Sequence, residues 1–419
     1  MLKLLSDSNK NENDLLALSL DDIARIGAKK LLLHALDLEV AEYIERCKNC
    51  VDEKGKKQVV RNGKSKNRKV TTGAGTIDVK TPRVNDKREG KKFTSIILPP
   101  YLRKSKNVES ILPLLYLKGL SGNAFRDALC GLLGEDAGGL SSSSIATLKK
   151  SWRQDLVDWQ KQSIQDEFVY IWADGVNIKI RLGEDKKLCL LVLVGVNHKG
   201  EKKLLAVEGG YRESAENWKL IFNDLVRRGL NPPLAVIGDG GLGLWSAIEE
   251  IPEFLDVKEQ RCWVHKIANI LNVFPKRLQP KVKRKLHDMI HSERKSDAEI
   301  VKKEFIEDFG EKYPKATEKL EKNWIELTAF FDFPALHWQY LRTTNPIEST
   351  FATVKLRTRT TKGAGNKETA ETMAFKLLQE AEKGWRKLKG YEKITGLLKG
   401  DVYKDGNLVN IEEVRGRLA

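Results

Sequence analysis

Cysteine, proline, acidic residues and long apolar runs are all in short supply in this chain, and each shortage removes a class of protein. The five cysteines, at positions 47, 50, 130, 189 and 262 of 419, form an odd and scattered set that fits a reducing compartment and excludes a small disulfide-stapled scaffold. Only 12 prolines beside 41% hydrophobic residues argue against an extended or disordered chain. No apolar run approaches the roughly 20 residues of a membrane span. The opening "MLKLLSDSNKNENDLL" is too polar for a secretory leader, so a cytoplasmic protein with no membrane partner is expected. Acids number 58 against 74 Lys and Arg, and the resulting charge of +16 calls for a polyanion, nucleic acid first, with association to the nucleoid as its consequence.

What is present is unevenly arranged. Residues 13–46 carry helical periodicity, and a dense basic run then interrupts it. From 53 to 92 stand 14 Lys/Arg against 4 Asp/Glu, which is +10 of the total +16. Within it, "KVTTGAGTIDVKTP" alternates apolar and polar residues around Gly73, Ala74 and Gly75, the pattern of a β-hairpin with outward cations. Arg61, Lys64, Arg68 and Lys69 are the candidate phosphate contacts, with a solvated basic surface as the alternative. Residues 106–165 read as three helices: "NVESILPLLYLKG", "SGNAFRDALCGLLG" capped by Ser121, and "SSSSIATLKKSWRQDLVDWQ" opened by the serines at 141–144. Their outline is a helix-turn-helix with Lys149, Lys150 and Arg153 near the start of a recognition helix, or else a generic three-helix unit.

The pattern changes at 167. "EFVYIWADGVNIKI", "KKLCLLVLVGVN" and "KKLLAVEGGYRE" are strand-like, the last two joined by the turn "NHKG". A helix follows, then "PPLAVIGDGGLGLWSAIEEI" and "VKEQRCWVHKIANIL". Antiparallel strands followed by alternating helices and strands give the order of a ribonuclease H-like α/β fold with a mixed sheet. From about 275 to 340 the pattern is helical and charged, an all-helical insertion ahead of a closing helix. The expected organisation is therefore 1–105 N-terminal helices and basic hairpin, 106–165 helix-turn-helix-like, and 166–274 first part of the α/β core. After these come 275–340 insertion, 341–385 closing helix and 386–419 tail.

Phosphodiester chemistry through paired divalent ions needs carboxylates from separate elements converging on one point. Asp174 lies in a strand otherwise made of Phe, Val, Tyr, Ile and Trp, where a charge is costly unless paired or metal-bound. Asp239 ends a later strand, at the edge where α/β sheets place ligands. Each has a plainer reading, a strand end for Asp174 and the "GDGG" turn for Asp239. Glu348, in "RTTNPIEST", is either a capping-box acid behind an Asn345 N-cap and Pro346, or the third carboxylate of such a site. Lys355 and Arg359 share the Glu348 face, with Arg357 nearby, beside an apolar stripe of Ile347, Phe351 and Val354; the three cations are candidate DNA-phosphate contacts, with a surface ion-pair ladder as the alternative. "CKNC" lacks a second half. Cys262 and His265 with His287 and His291 approach a zinc-finger spacing, against the alternative of a core cysteine and surface histidines.

The ordered set "RNGKSKNRKVTTGAGTIDVKTPRV", "LKGLSGNAFRDAL", "LSSSSIATLKKSW", "ADGVNIKI", "VIGDGGLGLWSAI", "QRCWVHKIANIL" and "RTTNPIESTFATVKLRTRTTKGAG" resembles the Mutator-like family of bacterial insertion-sequence transposases. The resemblance implies a metal-binding triad of Asp174, Asp239 and Glu348, with Lys355 as the basic residue after the glutamate. Cys262 and His265 would be the Cys-x2-His signature that supports the site. It implies a DNA transposase that binds terminal inverted repeats and performs Mg2+-dependent cleavage and strand transfer into target DNA, with Mn2+ as a substitute ion. A homodimer or higher assembly on DNA and a circular DNA intermediate are further implications. The rivals are a non-catalytic DNA-binding repressor derived from a transposase and a ribonuclease H-like nuclease that cleaves without joining.

Overall fold

Residues Phe168–Lys179, Lys187–Asn197 and Lys202–Gly210 are strands β5, β6 and β7 of the protein because each is an apolar run bounded by turn residues. In the computed structural model the described residues are 18–120, 122–133, 142–182, 187–210, 214–240 and 243–409. The expected cap at Ser121, the serine at 141, the side chains of 142–144, Gly241 and Leu242 lie outside them. The chain divides into two compact units, Met1–Leu148 and Lys149–Ala419. The division falls inside a helix.

In the first unit, helix α1 (Leu20–Arg46) is capped by Ser19, whose hydroxyl accepts the Asp22 N–H. Strands β1 (Val59–Lys64) and β4 (Pro82–Asp86) pair antiparallel. Strands β2 (Arg68–Thr72) and β3 (Gly75–Val79) form the expected hairpin, Thr72 facing Gly75 across the two-residue turn. The unit's core is Leu36 of α1 with Val70, Ile77, Val79 and Leu98. Helices α2 (Lys106–Leu117) and α3 (Gly122–Leu133) follow, and α4 (Ser142–Gln160) runs on into the second unit.

The second unit is built on one five-stranded sheet in the order β7-β6-β5-β8-β9, with β8 at Ala235–Gly238 and β9 at Lys258–Arg261. β5, β6 and β7 are antiparallel neighbours, whereas β8 runs parallel to β5 and β9 parallel to β8. The sheet is therefore mixed, as the strand pattern predicts. Ten of the eleven β6 residues are buried, so both faces of the sheet are covered. α5 (Ala215–Arg227) and α6 (Leu244–Glu249) contribute Trp218, Phe222 and Ile248 to one core, with Ile171, Leu191 and Val236 from the strands.

α7 (Trp263–Leu271) leaves β9, and a helical block follows: α8 (Gln279–His291), α9 (Lys295–Phe309), α10 (Pro314–Glu321), α11 (Trp324–Thr328) and α12 (Trp338–Leu341). The long α13 (Asn345–Thr360) and α14 (Lys367–Glu382) then return to the sheet, packing on β5 and β7 respectively. The chain ends its described part with α15 (Ile394–Leu398) and a small hairpin of β10 (Tyr403–Lys404) and β11 (Asn407–Leu408). No helix among the described residues is long and apolar enough to cross a membrane.

Candidate functional site

The register of two neighbouring strands brings two of the candidate acids side by side. In the parallel pair of β5 and β8, Ala173 faces Gly238, and Asp174 and Asp239 are the next residue of each chain. A parallel neighbour on one side and an antiparallel one on the other fix β5 at mid-sheet, so Asp174 sits where the β8 ladder ends. Its carboxylate accepts the Gly175 N–H at 2.8 Å.

The third acid comes from α13. His265, one turn into α7, lies between Asp239 and Glu348: Nδ1 is 3.9 Å from Asp239 Oδ1 and Nε2 is 3.8 Å from Glu348 Oε1. The hydrogen bond to Cys262 raises the His265 pKa, burial opposes it, and the charges of Cys262, Asp239 and Asp174 carry it to about 9. The imidazole therefore holds a proton more readily than an ordinary histidine does. Asp174, Asp239, His265 and Glu348 are all half-buried.

Cys262 is the junction behind this group and is wholly buried. Its N–H donates to Gly238 O at 2.7 Å, tying β9 to the residue before Asp239. Its sulfur accepts the Thr344 N–H at 3.3 Å, and the Thr344 hydroxyl donates to Glu348 Oε1 at 2.7 Å. Trp263 N–H donates to Arg342 O at 2.9 Å, a second tie to the same segment.

These bonds bear on whether Glu348 is a cap. Thr344, not Asn345, is the N-cap of α13, and its N–H is taken by the cysteine sulfur. The Glu348 carboxylate receives a hydroxyl, not the cap's backbone N–H, so the reciprocal capping-box arrangement is absent.

Two donor sets meet at Glu348. Asp174, Asp239 and Glu348 are all oxygen donors, the kind a hard cation such as Mg2+ takes. Cys262, His265 and Glu348 bring ligand atoms within 4.8 Å of one another. The sulfur of that second set is already engaged by Thr344. In the first set Asp239 Oδ1 is buried with no hydrogen-bond partner among the described residues, and its lone pairs suit a cation. His287 and His291 stand on α8, ring centroids 6.1 Å apart, and do not join Cys262 and His265 in that group.

The candidate cations are dispersed. Lys355 and Arg359 are exposed on α13, whereas Arg357 between them is buried at 6% exposure. Arg61, Lys64 and Lys69 are exposed on β1 and β2, Arg61 paired with Asp37. Arg68 is half-buried and donates to the carbonyls of Leu98 and Pro99. Arg153 Nε is 3.1 Å from Glu368 of α14, so its charge is already met within the unit. Lys149 and Lys150 line a small hollow beside it with Thr369 and Met373. Thr344 is the site residue that the sequence pattern did not mark, because its partner sulfur lies 82 residues away.

A family model described as "Transposase, Mutator family" matches residues 2–388. The chain is 44% identical over 303 residues to the transposase for insertion sequence element IS6120 of Mycolicibacterium smegmatis, covering 72% of this chain and 93% of that protein. It is 42% identical over 287 residues to the transposase for element IST2 of Acidithiobacillus ferrooxidans, covering 68% and 96% respectively. The transposase for IS256 in transposon Tn4001 of Staphylococcus aureus matches at 25% identity over 375 residues, 87% of this chain and 91% of that one.

Proposed function

Given that the chain belongs to the Mutator family of transposases, we propose that Asp174, Asp239 and Glu348 are its catalytic metal ligands and hold two Mg2+ ions. The sheet is then a ribonuclease H-like core, a reading supported by its order of three antiparallel strands followed by two parallel ones. The observation that carries the proposal is the Ala173 to Gly238 register, which sets Asp174, midway along β5, beside Asp239, the residue that follows β8.

When bound, paired Mg2+ ions supply activation of the attacking oxygen and charge neutralisation at the departing one. The chain's own residues do the rest. Asp174 offers carboxylate oxygens from β5, and Asp239 from the residue that follows β8. Glu348 offers a third from the first turn of α13, aimed by the Thr344 hydroxyl. His265 stands between Asp239 and Glu348, its Nδ1 3.9 Å from the first and its Nε2 3.8 Å from the second, and spaces the two acids. Further along α13, exposed Lys355 and Arg359 are placed to grip DNA phosphates. The basic first unit binds the terminal inverted repeats, and at least two copies assemble to hold two ends.

The test is strand transfer in Mg2+ of labelled DNA carrying the element's terminal repeats. Glu348→Gln keeps the side-chain shape and removes its charge. The variant is expected to bind the repeats and to lose joining by at least about a hundredfold. Equal joining by variant and wild type would refute the assignment of Glu348. Cleavage by wild type without any joined product would identify a nuclease instead.

A further inference from the structure

Residues 91–106 contain five Lys or Arg and no acid, and two large apolar side chains stand in the open among them. Ile96 is 88% exposed and Tyr101 is 91% exposed. Singly exposed apolar residues are ordinary. These two stand on a mount that is held from several sides. Leu98 is buried in the core of the first unit and Leu102 packs against it. Glu39 accepts the Ile96 N–H at 2.6 Å and the Ser95 hydroxyl at 2.5 Å. Arg68 Nη2 donates to Leu98 O and Pro99 O, both at 3.3 Å. Arg103 O accepts the Thr71 N–H and Thr71 O accepts the Ser105 N–H, each at 2.9 Å, so the segment beyond lies along β2.

Tyr101 also carries backbone strain. The chain reverses between Pro99 and Leu102, whose N–H donates to Pro99 O at 3.3 Å. Tyr101 has φ 67°, the left-handed corner that glycine takes freely and an aromatic residue takes at a cost. No burial of the ring offsets that cost. A rigid, strained loop that shows an aromatic ring to solvent points to a contact outside the chain.

Charge selects the partner. Two copies meeting through this loop would bring two acid-free cationic stretches together, whereas duplex DNA offers phosphates to the cations and apolar base faces to the wedge. We propose that Tyr101 and Ile96 form an apolar wedge that enters a base step of the duplex held by the first unit, unstacking it and bending the DNA. The proposal rests on the transposase reading, since it needs a DNA ligand.

The experiment uses the full chain and duplexes spanning the element's terminal repeat, with 2-aminopurine moved step by step and donor and acceptor dyes at the ends. Wild type should raise 2-aminopurine emission at one step and shorten the end-to-end distance. Tyr101→Gly and Ile96→Ser should lose both signals while binding within about tenfold of wild type, because the lost insertion also removes the unstacking cost. Tyr101→Gly suits the left-handed corner, so it should melt no lower than wild type and its loss of signal is not unfolding. Variants that unstack and bend as wild type does would overturn the wedge while leaving the transposase reading intact. So would variants with normal DNA signals that sediment as smaller species, since the loop would then join copies. Wild type that binds no duplex would overturn the DNA reading and the wedge with it.

Discussion

Cys262 and Thr344 meet across 82 residues of chain, the sulfur accepting the threonine N–H at 3.3 Å with the threonine hydroxyl 3.4 Å away. The same hydroxyl donates to Glu348 Oε1 at 2.7 Å, so one buried contact sets both the start of α13 and the direction of its acid. Thr344→Val keeps the volume and removes the hydroxyl. A hydrogen bond to a charged group contributes about 1.5–3 kcal/mol, and strand transfer at saturating DNA should fall roughly tenfold to a hundredfold. Thr344→Ser should restore most of it. If Thr344→Val joined DNA at the wild-type rate, the hydroxyl would have no part in orienting Glu348.

The cations of α13 should separate by salt dependence. Lys355 and Arg359 are exposed and Arg357 is buried. Replacing either exposed residue by Ala should reduce the slope of log affinity against log salt by about 1. Arg357→Ala should instead lower the melting temperature, since it empties a packed position, and leave the slope unchanged. Binding titrations of labelled repeat DNA at several salt concentrations decide the matter. An unchanged slope in Lys355→Ala would remove that residue from the interface.

A backbone requirement follows Asp239. Gly243 has φ 95°, and a Cβ there would lie 2.3 Å from the backbone N of Ala215. Neither strain nor clash can be relieved by a side-chain rotation, so Gly243→Ala should cost about 2–4 kcal/mol. At Gly238 an added Cβ meets Leu244 Cδ2 at 2.3 Å, the far end of a flexible side chain. Gly238→Ala should therefore cost less, and urea midpoints of the two variants should fall in that order. The reverse order would show that the turn after Asp239 yields more readily than the core beneath it.

The strands and the long-range contacts differ in how far the sequence exposes them. β5, β6 and β7 were legible because apolar runs bounded by turns are local signals, and Asp174 stood out as a charge inside one of them. The hairpin at Gly73 and Ala74 was equally local. The N-cap of α13 was misread as Asn345, since local rules cannot see that Thr344 gives its N–H to a sulfur on another element. Arg357 was grouped with its exposed neighbours, although it falls three residues after Val354 on the apolar stripe. That spacing was available in the sequence; the charge of the side chain outweighed it. Which acids converge depended on the parallel pairing of β5 with β8, a property of topology that no local pattern carries.

A buried histidine gives a pH dependence that is separable from the site. His337 is fully buried, accepting the Tyr170 hydroxyl at Nδ1 (2.9 Å) and donating from Nε2 to Gly390 O (2.8 Å). With both nitrogens used in this way the ring is neutral, and burial lowers its pKa below the usual histidine value, the Gly390 bond opposing in part. The unfolded chain, with an ordinary pKa of about 6.5, then binds the proton more readily than the folded one. The histidine's contribution is therefore present in full above that value and declines as pH falls from it towards the lower folded pKa, by at most about 1.4 kcal/mol per pH unit. Glu259 works in the opposite sense, because burial and then Glu249 and Glu326 raise its pKa to about 7. Between the ordinary carboxylate pKa and 7 its folded form holds the extra proton, and stability declines as pH rises. Urea unfolding of wild type alone would mix the two slopes. Glu259→Gln should steepen the loss of stability on acidification between pH 7 and pH 5, whereas His337→Gln, less stable throughout, should flatten it. If His337→Gln kept the wild-type pH profile, the folded and unfolded rings would bind protons equally, and burial would not be lowering the His337 pKa.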